Sequence, residues 1–297
     1  MLDISPHIQE CLNKKSPLVA LESTVISHGL PYPENVIITH KMMMTVRENG
    51  ATPAVIAIKN GKLRIGLSDE EIELFATHTE VLKVSRADIA FCSSHPERLG
   101  ATTVSATMVI AHLAGFKVFA TGGLGGVHRG AEKTFDISAD LHEFSKTPIL
   151  VVCSGVKSIL DVPKTLEYIE TLGIPVVGYG THELPLFFSL EGPKLTQRVD
   201  TPEEAAHLFQ LQTALNFKGM IIANPISETD ALDGKLIEKS IQQAEKTLRD
   251  QGITGKSVTP FLLKILNDIT KGESKKANLS LLENNAKVAA QIAVALG

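Results

Sequence analysis

The run Pro148-Ile149-Leu150-Val151-Val152-Cys153 restricts the fold more than any other stretch of this chain. It carries no charge and no alternation of polar with apolar residues, so neither face of a strand built from it can meet water. Strands of that kind belong to parallel sheets with helices packed on both faces. The chain supplies the companions: Pro17–Leu21, Ala54–Ile58, Val81–Val84, Lys117–Ala120, Ile174–Tyr179 and Gly219–Ala223 are further short apolar runs, alternating with segments of helical periodicity. The fold class that follows is α/β.

Local signals set several boundaries. Pro33-Glu34 opens an amphipathic helix that closes at Gly50, and Thr201-Pro202-Glu203-Glu204 opens another. Asn60-Gly61, between Ala54–Ile58 and Leu63–Ile65, is a two-residue hairpin signal that brings an antiparallel pair into the sheet. Ser68–Glu71 reads as a capping box. The small-residue stretch Thr102–Gly115 reads as a helix ending on glycine, and Ser154–Leu160 as the start of another. Helices are also expected before Pro17, around Leu232–Asp250, from Thr259 and after Asn278. No Pro/Ser/Gly-rich linker divides the 297 residues, of which 43% are hydrophobic, so the chain reads as a single domain over 1–297.

The run Lys117–Ala120 ends in Thr121-Gly122-Gly123-Leu124-Gly125-Gly126-Val127-His128-Arg129-Gly130, and the segment continues to Asp140. In an α/β sheet the loop after a strand opens into the crevice where ligands bind. Glycines allow close backbone approach and φ > 0 turns that aim amides at an anion, and His128, Arg129 and Lys133 add positive charge. Asp136 and Asp140 are hard oxygen ligands of the kind magnesium and manganese take. The two readings are a site shared by a phosphate and a metal ion, and a mobile loop with solvated charges. The third glycine of G-x-G-x-x-G would fall on His128, and no P-loop lysine follows, so a nucleotide cofactor is not expected.

Glu22 stands at the end of the first apolar run. There a carboxyl either keeps its proton near neutral pH, as a general acid requires, or is held by a buried lysine or a helix cap. Lys83 lies inside Val81–Val84 and needs an anion, either a carboxylate of the protein or a substrate phosphate. Lys157 falls near an expected helix start, where the side chain is either simply exposed to solvent or, if the positive helix end and partial burial favour the free amine, a nucleophile. Cys11, Cys92 and Cys153 provide neither a disulfide frame nor a zinc site. The net charge of -4 and scattered lysines leave no basic stripe for a nucleic-acid polymer. No apolar run reaches the roughly 20 residues that span a bilayer, and a cytoplasmic location is expected.

Ala20-Leu21-Glu22-Ser23-Thr24, Lys83-Val84-Ser85-Arg86, Gly100-Ala101-Thr102-Thr103-Val104, the Thr121–Asp140 segment, Lys157-Ser158-Ile159-Leu160-Asp161 and Thr259-Pro260-Phe261-Leu262-Leu263 together resemble the pseudouridine-5'-phosphate glycosidase family, also called indigoidine synthase A-like. The resemblance runs almost end to end. It implies a three-layer α/β/α fold with a mixed, mainly parallel central sheet, a homotrimer, and reversible cleavage of the carbon–carbon glycosidic bond of pseudouridine 5'-phosphate to uracil and ribose 5-phosphate. By the same resemblance Lys157 forms an imine with the ring-opened sugar and Glu22 shuttles protons. Asp136 would bind one Mn2+ per subunit with waters completing its shell. Ser138, Ala139, Asp140, Lys83 and Val104 would contact substrate, with His128 and Asn278 as further active-site groups. The other readings are a lyase acting on a related C-nucleoside phosphate, as the family's pigment-related name suggests, and a non-catalytic sugar-phosphate sensor.

Overall fold

The computed structural model describes residues 1–251, 253 and 258–297, with the backbone alone at 245, 246, 249, 250, 259, 260, 263 and 264. The chain begins with β1 (Leu2–Ile4), α1 (Pro6–Asn13) and β2 (Leu18–Glu22), then a π-helical turn (Val25–Gly29) and α2 (Glu34–Glu48). The hairpin β3 (Thr52–Lys59) and β4 (Lys62–Ile65) precedes α3 (Asp69–Thr77), β5 (Val81–Val84), α4 (Ile89–Ser93), β6 (Leu99–Thr102), α5 (Val104–Leu113) and β7 (Val118–Ala120). Two short helices, α6 (Ala131–Thr134) and α7 (Ala139–Phe144), lie between β7 and β8 (Leu150–Cys153). After α8 (Val162–Thr171), β9 (Val176–Tyr179), β10 (Gln197–Val199), α9 (Pro202–Ala214) and β11 (Met220–Ala223), the chain is helical: α10 (Gly234–Asp250), α11 (Val258–Ile269) and α12 (Glu273–Ala295). The side chains of Thr259, Pro260 and Leu263, part of the last motif singled out above, lie outside the described residues.

The strands form one mixed sheet in the order β1-β4-β3-β2-β7-β8-β11-β9-β10, with β6 paired to β3 and β5 paired to β6. From β3 to β10 every neighbour along that order is parallel. The run that restricted the fold class lies at the centre, between β7 and β11, and Leu150, Val151, Val152 and Cys153 have no solvent exposure. Alternation within it separates two cores. Leu150 and Val152 pack with α2, α9 and α12 on one face, while Val151 and Cys153 pack with α1, α5 and α7 on the other. The result is three layers, α/β/α.

The hairpin signal holds: Asn60 and Gly61 both adopt positive φ, 53° and 70°, as a two-residue type I′ turn requires. The capping box is present, with Ser68 Oγ accepting from Glu71 N and Glu71 Oε2 accepting from Ser68 N. Three strands have no signal in the sequence. β1 and β10 are three-residue edge strands, and β6 is Leu-Gly-Ala-Thr, made a strand by pairing with β3 and β5 rather than by its own pattern. Accordingly the helix expected from Thr102 starts at Val104, with Thr103 as its N-cap.

That hidden strand shapes the site. β3 pairs with β2 as far as Ile56 and then with β6 at Ala57 and Ile58, so Glu22, the last residue of β2, lies where one neighbour gives way to another. The seam is sealed by hydroxyls: Thr102 N donates to Ser23 Oγ at 2.8 Å, and Thr102 Oγ1 donates to Ile56 O at 2.7 Å. Sheets bind ligands at such switch points, outside the carboxyl ends of their strands.

Candidate active site

A cavity of about 330 Å³ opens there, and its lining includes Glu22, Lys83, Val104, His128, Asp136, Ser138, Ala139, Asp140, Lys157 and Asn278. These ten residues thus line one space, brought in by β2, β5, α5, the β7–β8 connection, the loop after β8, and α12, whereas Arg129 and Lys133 are not in its lining. Asn278 lies inside α12 rather than ahead of it.

The glycine loop and the lysine loop are held together as an extension of the sheet. Beyond the β7–β8 pair, Ser154 N donates to Gly122 O at 2.8 Å, Leu124 N to Gly155 O at 3.0 Å and Lys157 N to Leu124 O at 3.1 Å. Main-chain bonds therefore set where the lysine stands relative to the glycines. Of the five loop glycines only Gly130 has positive φ, so left-handed turns are not what the others provide. They provide closeness: a Cβ on Gly123 would lie 2.5 Å from the Phe187 ring, and on Gly125 2.2 Å from Ser138 Oγ.

Part of the loop's main chain is taken up within the protein and is not available to a phosphate. Four of its N–H groups are already engaged: Leu124 by Gly155 O, Gly125 by Asp140 Oδ2, Val127 by Thr165 Oγ1 and His128 by Asp136 O. Asp140 also accepts from Ser105 N at 3.0 Å, so its carboxylate braces α5 against the loop and does not present two open oxygens to a metal. Arg129 is likewise committed, in a two-pronged pair with Glu238 of α10 at 2.8 and 2.7 Å. Cationic groups that line the space are Lys83, half-buried rather than fully buried, and Lys157.

Glu22 is 8% exposed and accepts hydrogen bonds from the hydroxyls of Thr24 and Thr121. Burial pushes its carboxyl above the usual range. Lys157 opposes that most strongly, the two hydroxyls oppose it further, and Asp140 reinforces it. The acid at the strand end therefore holds its proton more tightly than a free glutamic acid. Lys157 is not at a helix start: α8 begins at Val162 with Asp161 as its cap, and residues 154–160 are loop. The helix-end argument for its amine does not apply. Cys153 is no rival nucleophile, since burial pushes its thiol up to about 12.

Two histidines line the cavity. Burial lowers His128, Asp136 raises it, and Lys157 and Lys83 lower it further, with a net fall. His28, on the π-helical turn, was missed as a site residue. Burial first and Lys83 second lower it to about 4 against a backbone bond to Leu82, and its Nε2 is buried without a partner among the described residues. Thr24 and Thr121 were also missed as site residues. Each is ordinary in sequence, and only the fold places it beside a charged group.

The described residues contain no cluster of three histidine, cysteine or acidic side chains that would cage a metal. Asp136 offers a lone carboxylate on the cavity wall. One carboxylate fits a hard cation that keeps most of its water, as magnesium-like ions do, and fits no transition metal that needs several protein ligands.

Residues 7–295 match the family described as indigoidine synthase A like protein. The chain belongs to the indigoidine synthase A-like family. Members close to it in sequence include a protein named pseudouridine-5'-phosphate glycosidase from Caldanaerobacter subterraneus subsp. tengcongensis, 52% identical over 99% of this chain and 96% of its own. One of the same name from Staphylococcus aureus is 50% identical over the same shares. Among solved structures, the prealnumycin C-glycosynthase AlnA in complex with ribulose 5-phosphate superposes with a TM-score of 0.92 at 40% identity, covering 100% of this chain and 97% of its own. An indigoidine synthase A-like protein from Thermotoga maritima gives 0.86 at 38%, over 95% and 93%. This indigoidine synthase A-like chain is an enzyme, and no helix among its described residues is long and apolar enough to cross a membrane.

Proposed function

We propose that this enzyme reversibly cleaves the C–C glycosidic bond of pseudouridine 5'-phosphate, giving uracil and ribose 5-phosphate. The observation that carries the reading is the pairing in one cavity of Glu22, a buried carboxyl that resists ionisation, with Lys157, whose charge it feels above all others. The relatives' shared name points the same way.

A carbon leaving group cannot be expelled by simple protonation of an exocyclic oxygen, so the sugar itself must be activated. Nζ of Lys157 attacks C1' as the C1'–O4' bond breaks, and Glu22 delivers the proton that O4' takes up. The nitrogen lone pair then forms C=N while the C1'–C5 bond breaks. Its electron pair goes to C5 of uracil, which is protonated. Water finally hydrolyses the imine, releasing ribose 5-phosphate and free lysine. Lys83 and Asn278 would hold the phosphate and polar edges of the substrate, with Val104, Ser138, Ala139 and Asp140 shaping the wall and His128 donating or accepting as a neutral imidazole. Manganese at Asp136 would screen phosphate charge, one ion per subunit, and the assembly would be a homotrimer in the cytoplasm.

A second reading has its own support. The C-glycosynthase similar in structure carries a name for C-glycoside formation and holds a pentulose phosphate, so this crevice would suit lyase chemistry on a related C-nucleoside phosphate. Uracil release from pseudouridine 5'-phosphate, measured with manganese and with EDTA, separates the two. Lys157→Ala should lose more than about 10⁴-fold in kcat, as nucleophile deletions do. Borohydride with ribose 5-phosphate should leave a mass adduct on Lys157 and none on the variant. An unmodified lysine under turnover would overturn the imine route.

A further inference from the structure

Asn285 lies on α12 with no solvent exposure, on the face that packs against the sheet. Around it that face is built of Leu281, Leu282, Ala286, Val288 and Ala289, all buried. Leucine would satisfy the packing there, so a buried amide must answer to something else. Its Nδ2 donates to Thr121 O at 2.8 Å, with Gly122 O at 3.3 Å and Ser154 Oγ at 3.1 Å also in reach. Its Oδ1 accepts from Asn224 Nδ2 at 2.9 Å and from Ser154 Oγ at 3.3 Å.

These partners are the first residues after three adjacent parallel strands: Thr121 after β7, Ser154 after β8 and Asn224 after β11. Thr121 donates its hydroxyl to Glu22, at the end of a fourth. Ser154 begins the loop that carries Lys157, and both loops share the ladder that runs on from β7 and β8. One amide thus ties together the strand ends that bear the carboxyl and the amine.

We propose that Asn285 is a positioning residue for the reaction, fixing both where Thr121 meets Glu22 and where the Ser154–Lys157 loop carries the amine. It touches no reacting atom and acts only through those neighbours. The inference rests on the imine reading above.

Asn285→Asp keeps the shape but turns an oxygen toward Thr121 O, and Asn285→Ser removes the reach altogether. In each, kcat for pseudouridine 5'-phosphate should fall about a hundredfold while KM changes less than about threefold, the mark of misplaced reacting groups rather than lost binding. Without the Thr121 hydroxyl bond, and with Lys157 still lowering Glu22 and Asp140 still raising it, the limb of the pH–rate profile governed by Glu22 should move to higher pH. Ser154→Ala loosens only the β8 link. It should slow borohydride trapping of ribose 5-phosphate on Lys157 and leave the Glu22 limb in place, which keeps the idea testable if both Asn285 variants unfold. A purely structural role would lower thermal stability while the folded enzyme kept its kcat, trapping rate and pH profile, and that result would overturn the proposal. Failure of the wild type to trap would instead remove the imine reading on which it stands.

Discussion

At the carboxyl ends of β2, β7 and β8 a cavity of about 330 Å³ gathers Glu22, Lys157, Lys83 and two lowered histidines; at the amino ends of β7 and β8 another, about 450 Å³, is lined by groups such as Phe116, Pro148, Phe209 and Thr213. The second is larger, and its ionisable neighbours, His112 and Lys117, are exposed. Size is therefore not what marks the site. Strand polarity and burial are: the loops that follow β2, β7 and β8 meet at the carboxyl ends, and there the buried Glu22 shares a cavity with Lys157.

The sharpest way to break this contrast is Glu22→Gln. A general acid contributes about 10²–10⁴-fold, and uracil release should fall by that much. Stability should move the other way. Glu22 has a folded-state pKa raised above its ordinary 4.5, so the unfolded chain ionises first and wild-type stability falls as pH rises from about 4.5 through the raised value. Urea denaturation across that window should show the variant gaining on the wild type as pH increases. A variant that loses stability in parallel with activity would mean that the carboxylate is structural.

Next in size is the glycine loop. Gly125→Ala places a Cβ 2.2 Å from Ser138 Oγ and 2.7 Å from Asp140 Oδ2, overpacking that should cost about 1–3 kcal/mol and shift the brace between loop and α5. Gly130→Ala meets nothing within 4 Å and carries only its φ of +83°, about 1–2 kcal/mol. Thermal denaturation of the pair, with kcat measured alongside, should show activity falling for Gly125 and spared for Gly130.

His28 gives a smaller effect with the opposite pH sense to Glu22. Its pKa falls from 6.5 to about 4 on folding, so the unfolded chain binds the extra proton and stability drains away as pH falls from 6.5 toward 4. His28→Gln should flatten that slope relative to wild type. An unchanged slope would place the imidazole outside the buried set.

The central strand, the hairpin, the caps and the residues of the crevice were legible because each depends on local pattern or on a long run of matching motifs. What was not legible depends on neighbours far along the chain. β6 is a strand because β3 and β5 lie on either side of it. The loop glycines were read as giving an anion close approach and φ > 0 turns, whereas close contact with Phe187, Ser138 and Thr165, up to 64 residues distant, is what excludes a Cβ at Gly123, Gly125 and Gly126. Lys157 was placed near a helix start because Ser154–Leu160 follows the central strand, yet that segment pairs with the glycine loop and then turns, and the helix begins only after Asp161 caps α8. Asn285 looked like any polar residue of an amphipathic helix, and nothing short of the packed sheet shows three strand ends converging on it.

The smallest predicted effect tests the other half of the comparison. Gln210 and Thr213 lie on α9 at the amino-end cavity, both exposed, and Thr213 Oγ1 donates back to Phe209 O within its own helix. Neither lines the cavity at the carboxyl ends of β7 and β8. Gln210→Ala and Thr213→Ala should change stability by no more than about 0.5 kcal/mol, as exposed substitutions away from caps and cores do, and should leave kcat and KM for pseudouridine 5'-phosphate at their wild-type values. The strands between the two cavities are fully buried and close-packed, so a change felt at one end reaches the other only by moving the sheet. A shift in KM with unchanged stability would show that the two ends communicate, and the division of labour drawn from strand polarity would then have to be abandoned.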